Sequence, residues 1–214
     1  MTLENRLSVI NGYAEWMDEL LTRGREGEDD IWYGNLVTLM FDHISGDFER
    51  RKAVMFDETE RVYSTLVPHL VRHPKSKSGH AKLPIAVFAL DLPGKKTSER
   101  SSQAILRDVN INGGLHVHGL VLIRTDTRLR RTLNMHMAED SKYYPEYVRD
   151  DRPLREIQVE PIRSFPDEVT DYALKSLKWK LPDLDNILVL PKDSGRWRKL
   201  ADDALNRSPH RDVA

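Results

Sequence analysis

Two histidines stand one residue apart in the stretch GGLHVHGLVLI, residues 113–123, among glycine and large aliphatic side chains. Successive side chains of a β-strand point to opposite faces, so His116 and His118 share one face with Leu120 and Leu122. Two imidazoles at i and i+2 can converge on one metal ion. The same spacing also suits two hydrogen-bonded histidines at a sheet edge. A second chemistry-bearing group lies downstream in SFPDEVTDYALKSLKWKL, residues 164–181, which has acids in its first turn and lysines in its last, as a helix dipole prefers. On such a helix Tyr172 and Lys175 are i, i+3 neighbours. A phenol ionises only near pH 10, so a nucleophilic tyrosine needs positive charge close by, from Lys175 or from a metal ion.

The elements that must position these groups can be read from periodicity. Leu7, Ile10, Ala14, Met17 and Leu21 recur at helical spacing, and the charged, glycine-containing RGREGEDD ends that stretch, giving an N-terminal helical extension over about residues 1–30. NLVTLMF (35–41) has the density of Leu, Val, Thr and Phe expected of a buried strand. A second helix is predicted from Asp47 to about Val71, with Val54, Thr59, Val62, Leu66 and Leu70 near one face. LPIAVFALDL (83–92) reads as another apolar strand, and REIQVEPI (155–162) as a short one. QAILRDVN, then Asn112-Gly113-Gly114, then the histidine strand read as a hairpin, because Asn-Gly supplies the positive φ of a tight turn. A tail over about 183–214 begins with the strand-or-loop segment NILVLP and ends in a helical stretch. The whole predicts one α+β domain over residues 1–214, with a central, mainly antiparallel five-stranded sheet flanked by helices.

With 214 residues and 39% hydrophobic content the chain is long enough for one substantial core. It has no cysteine, which excludes disulfides and thiolate zinc sites and makes a cytoplasmic setting the default. No stretch has the apolar length of a membrane span, so no membrane partner is expected. The net charge is −1, but it is unevenly spread: residues 1–60 carry 6 Lys/Arg against 14 Asp/Glu, and residues 61–214 carry 27 against 20. The basic excess falls on the part containing the histidine pair, which leaves room for a nucleic-acid partner; a solvated acidic N-terminal helix explains the rest.

The combination of His-Val-His-Gly on a strand, LVTLMF before it and Tyr172-Ala-Leu-Lys175 after it resembles the HUH endonucleases, specifically their rolling-circle replication initiators. LVTLMF is similar to the first motif of those proteins, the histidine strand to the second and the Tyr-x-x-Lys helix to the third, with Lys178 repeating the spacing. The resemblance covers roughly residues 35–180. It implies a ferredoxin-like or RRM-like core, a Mg²⁺ or Mn²⁺ ion on His116 and His118, and nicking and joining of single-stranded or hairpin DNA through a 5′-phosphotyrosine at Tyr172, assisted by Lys175. A third, acidic ligand is expected from the strand before the histidines. Two positions compete: Asp108, which the hairpin would set across from His116, and Asp91, at the end of 83–92. The hairpin reading favours Asp108. Oxygen and imidazole ligands suit Mg²⁺ or Mn²⁺, and would also accept zinc. The sequence has no GxxxxGK[ST] loop, so unwinding is expected of a host helicase.

Other residues are read more plainly. His80 and His136 are expected to be exposed loop histidines. Tyr143, Tyr144 and Tyr147 are expected to pack or to stack on bases rather than to attack phosphate. The alternatives from other classes are a metal phosphoesterase that does not use Tyr172 and a DNA-binding module of the same fold without catalysis.

Overall fold

The computed structural model describes residues 3–23, 32–92, 111–140, 143–144, 152–162, 172–174 and 184–192. In chain order the main elements are α1 (Leu3–Arg23), β1 (Trp32–Phe41), α2 (Phe48–Leu70), α3 (Lys77–His80), β2 (Ile85–Asp91), a 3₁₀ turn (Ile111–Gly114), β3 (His116–Arg124), α4 (Leu133–Glu139), β4 (Leu154–Pro161) and β5 (Ile187–Leu190). The strands form one sheet in the order β4-β1-β3-β2-β5, with antiparallel neighbours throughout. The fold is α+β, a five-stranded antiparallel sheet flanked by helices.

Each element has a local cause. In β2, IAVFALD, all seven residues are buried, so it needs a strand on either edge and cover on both faces; it lies between β3 and β5. The sheet's other edge strand, β4, is buried at Leu154 and otherwise alternates half-buried with exposed residues. The Asp47 carboxylate caps α2 by accepting from the Arg50 amide at 2.9 Å. The buried stripe of that helix, Met55, Thr59, Val62, Tyr63, Leu66, Val67 and Leu70, follows the 3.6-residue period.

Two hydrophobic cores lie on opposite faces of the sheet. α2 and α4 pack against Leu39, Phe41, Phe88, Leu90, Val117 and Val121. On the other face, Ile10, Trp16, Met17 and Leu21 of α1 pack with Ile85, Val87, Ala89, Leu120 and Leu122. The N-terminal helix read as an extension therefore supplies the cover for one side of the sheet. Likewise, the segment placed at the head of the C-terminal tail contains β5, an edge strand of the sheet; residues 193–214 lie outside the described residues.

Two glycines set how closely these layers approach. A Cβ on Gly119 would lie 2.1 Å from Cδ1 of Phe88, its cross-strand partner, so the bare backbone is what admits that ring into the α2-side core. A Cβ on Gly34 would meet Leu21 and Ile162 at 2.9 Å, which fixes how closely the end of α1 approaches β1.

The expected hairpin is replaced by a longer connection. β3 pairs with β1 on one edge and with β2 on the other, so both of its edges are taken. The stretch QAILRDVN (103–110) lies outside the described residues. Asn112, Gly113 and Gly114 do adopt positive φ as the turn signal required, in a 3₁₀ turn leading into β3.

Candidate metal centre

The site is assembled at the end of the two central strands. Register makes Asp91, the last residue of β2, the direct partner of His116, the first residue of β3, and places Ala89 and Thr38 on either side of His118. Directly paired residues share a face, so Asp91, His116, His118 and Thr38 project together on the α1 side. Asp91 Oδ2 lies 3.4 Å from His116 Nε2 and 3.3 Å from His118 Nε2. One ligand atom from each of the three residues falls within 4.8 Å of the others.

The surroundings of the two rings orient their Nε2 atoms toward the carboxylate. His116 Nδ1 is 2.9 Å from the carbonyl oxygen of Gly114, and a carbonyl only accepts, so Nδ1 carries the hydrogen. In the neutral ring that leaves an Nε2 lone pair facing Asp91. His118 Nδ1 is 2.8 Å from the Thr38 hydroxyl, and the two rings meet edge to face with centroids 4.5 Å apart. Asp91 is 1% and His118 7% exposed. A buried carboxylate facing two imidazole nitrogens is stabilised by an N–H hydrogen or a cation lying between them.

The donor set fits a small divalent ion. Ligands about 2.1 Å from a metal are separated by roughly 3.0 Å in octahedral and 3.4 Å in tetrahedral geometry, which matches both carboxylate-to-imidazole gaps. Backing each ligating ring with a hydrogen bond at its other nitrogen is the usual outer-shell arrangement of metal-binding histidines. A buried Asp91–His116–His118 group that could hold a metal ion is thus present.

The turn before β3 is itself held by Asn112. Its side-chain oxygen accepts from the Ile44 amide at 2.8 Å, its amide donates to the Asp42 carbonyl at 2.9 Å, and the Arg51 guanidinium donates to its backbone carbonyl at 3.1 Å. With φ of 53° Asn112 occupies the left-handed region, which asparagine tolerates better than most residues. This anchoring delivers the Gly114 carbonyl to His116.

Tyr172 reaches the same side of the sheet. Its ring stands 5.7 Å from that of His118, centroid to centroid, tilted by 68°, and the residue is 43% exposed. The adjoining Ala173 and Leu174 are 2% and 1% exposed in the α1-side core, and they hold the tyrosine down against the sheet.

Of the two competing third ligands, Asp91 is the one placed beside the histidines among the described residues. Asp108 lies outside the described residues, and the place across from His116 that the hairpin would have given it is taken by Asp91. Lys175 and Lys178 also lie outside the described residues, as does Tyr147. Asn112 and Gly114 are legible in the sequence only as a turn and Thr38 only as part of a strand, none of them as support for the histidines. Thr38 carried a visible signal, being the one hydroxyl between the aliphatic residues of NLVTLMF.

A second polar cluster was misread. His136, expected in an exposed loop, lies on α4 and is 1% exposed. Its Nε2 is 2.8 Å from the Tyr144 hydroxyl and its Nδ1 3.1 Å from Asp140, while the His69 ring lies 4.8 Å away, centroid to centroid, tilted by 52°. Burial, reinforced by His69, holds the His136 imidazole below its ordinary range, and burial pushes the Tyr144 phenol up. Tyr144 is a packing residue, as expected, at 1% exposure, and His80 is exposed.

Compared with known proteins, the chain matches no protein-family model, no curated protein and no solved structure. Fold and site therefore define its class by themselves: an α+β protein whose antiparallel sheet carries a buried aspartate–histidine–histidine group beside a half-exposed tyrosine. No helix among the described residues is long and apolar enough to cross a membrane.

Proposed function

We propose that this protein nicks and rejoins single-stranded DNA, with Tyr172 as the nucleophile and a divalent ion on Asp91, His116 and His118. The observation that carries the reading is the 5.7 Å approach of the Tyr172 ring to His118, on the face of the sheet that bears the triad. A phosphate resting against the triad would lie within reach of a phenol that is itself open to solvent.

The balance of the step is simple. The Tyr172 oxygen attacks phosphorus, the bond to the 3′ oxygen breaks, and the phenolic proton ends on that oxygen as a free 3′-hydroxyl. The 5′ end stays covalently on the tyrosine, and the reverse step joins strands without further energy. The bound cation would act as a Lewis acid on the non-bridging phosphate oxygen. With one carboxylate and two imidazoles as ligands, Mg²⁺ or Mn²⁺ is the proposed ion. Asp91, His116 and His118 would hold the cation, and Tyr172 supplies the nucleophile. The role proposed for Lys175, which lies outside the described residues, is to stabilise the phenolate. Partners would be single-stranded or hairpin DNA and a host helicase, in the cytoplasm.

The test uses the whole protein, single-stranded oligonucleotides and Mn²⁺, read on a denaturing gel. A covalent protein–DNA adduct that vanishes with EDTA and in Tyr172→Phe supports the reading. Cleavage without an adduct replaces it with a metal phosphoesterase, and binding without cleavage replaces it with a DNA-binding module.

A further inference from the structure

The two imidazoles of the triad are supported in chemically different ways. His116 Nδ1 faces a carbonyl, which fixes the hydrogen on that nitrogen whatever Nε2 is doing. His118 Nδ1 faces a hydroxyl, 2.8 Å away on Thr38. A hydroxyl both donates and accepts, and its hydrogen rotates to suit. At Nδ1, this hydroxyl is compatible with either ring tautomer of His118.

We propose that Thr38 is a positioning residue for the metal: its hydroxyl accepts from His118 Nδ1–H and so presents the Nε2 lone pair to the cation. When no cation is bound, the same hydroxyl turns round, donates to Nδ1, and leaves Nε2–H to bond Asp91 Oδ2, 3.3 Å away. The ring thus keeps a partner at Nδ1 in both states, and loading the ion requires only that one hydrogen change nitrogen and one hydroxyl rotate. His116 is held ready by the backbone, while His118 is made switchable by a side chain.

Three features place Thr38 for this task. It is the register partner of His118 across the β1–β3 ladder, so the two side chains share a face and a close approach is built into the pairing. It is β-branched, which limits its χ1 freedom and aims the hydroxyl along the sheet. And its strand neighbours Val37 and Leu39 are 2% and 0% exposed in the core on the other face, which locks the strand in register. The half-buried Thr38 hydroxyl, set between the buried Val37 and Leu39, is satisfied by the His118 ring.

The inference rests on the metal reading of the triad and does not depend on the tyrosine chemistry. Its test is Mn²⁺ binding to the full chain by titration calorimetry, with no DNA present. Thr38→Val keeps shape and removes both the acceptor and the donor; Kd for Mn²⁺ is expected to weaken roughly 10- to 100-fold, the usual loss for an outer-shell partner of a ligating histidine. Thr38→Ser restores the hydroxyl and should bind close to wild type. Melting without metal checks that each variant folds, and Thr38→Ala repeats the measurement should the valine variant fail to melt cooperatively. Equal Mn²⁺ affinity in the valine and wild-type proteins, or a serine variant as weak as valine, overturns the proposal. Wild-type protein that binds no Mn²⁺ overturns it together with the metal reading, whereas wild type that binds Mn²⁺ but forms no DNA adduct overturns only the nicking reaction.

Discussion

The ring of Tyr172 stands edge-on to that of His118, 5.7 Å away, although 54 positions of chain separate them. Sheet register brings the imidazole to the α1 side, and the buried Ala173–Leu174 pair brings the phenol to meet it. The contact is made by the two rings, and a phenylalanine would keep the ring.

Tyr172→Phe should therefore separate binding from chemistry. The ring contact with His118 is kept, so the variant is expected still to fold and to bind Mn²⁺ while the covalent DNA adduct falls to background. Calorimetry and a denaturing gel on one preparation check both halves. An adduct surviving in the variant would move the nucleophile elsewhere.

Asp91 is the one negative charge of the triad. Asp91→Asn preserves its shape and removes that charge, and the loss of Mn²⁺ affinity should exceed the roughly 10- to 100-fold cost of losing an outer-shell partner. Metal that binds only the folded protein stabilises it, by about 2.7 kcal/mol when its concentration is 100 times Kd. Adding Mn²⁺ should accordingly raise the melting temperature of wild type and leave that of the variant unmoved; removal by EDTA should reverse the shift.

Gly119 follows the second histidine for a steric reason. In Gly119→Ala the new Cβ would sit 2.1 Å from the Phe88 ring, inside a core that cannot widen without shifting a strand. Overpacking of this kind costs about 1–3 kcal/mol, and a domain of this size loses about 3 °C in melting temperature for each. Because the intrusion is on the α2 side, Mn²⁺ binding should persist in the folded fraction. A melting temperature equal to wild type would show that Phe88 can move aside.

The His136 cluster predicts an acid-side loss of stability. Its imidazole is held below the ordinary range, chiefly by burial, with His69 and Arg131 acting in the same direction and Asp140 opposing. The unfolded chain then binds the proton more readily than the folded one, so stability is complete above the unfolded value of about 6.5 and falls as pH drops through it. Melting temperature should decline between about pH 7.5 and about pH 5.5, a window above most carboxylate titrations. His136→Gln should flatten that slope; an unchanged slope would assign it to other groups.

Much of this was legible in the chain, and the reasons differ by element. The two long helices and the strands around NLVTLMF, IAVFALD and HVHGLVLI announce themselves because burial imposes a period on the residues of a single element. Strand alternation placed both imidazoles on one face for the same reason. His136 was also readable in principle: Leu133, His136 and Met137 are spaced i, i+3, i+4, and all three are buried. Reading it as a loop histidine gave residue type more weight than spacing.

What the sequence by itself determined, then, is local: the α+β composition, the five-strand count, the shared face of His116 and His118, and Asp91 and Asp108 as the rivals for a third ligand. Only the tertiary structure decided which strand lies beside the histidines. The hairpin reading favours the nearer segment because Asn112-Gly113 signals a tight turn, but a longer connection costs only a little more to close. Burying all seven residues of β2 outweighs it, and that burial is what seats Asp91 against both rings. The same holds for α1, whose sequence shows an apolar face but not the sheet surface it covers, and for Thr38, whose partner is set by register 80 residues away. A side chain's own spacing fixes which way it points, whereas what it meets there is fixed by the free energy of the whole core.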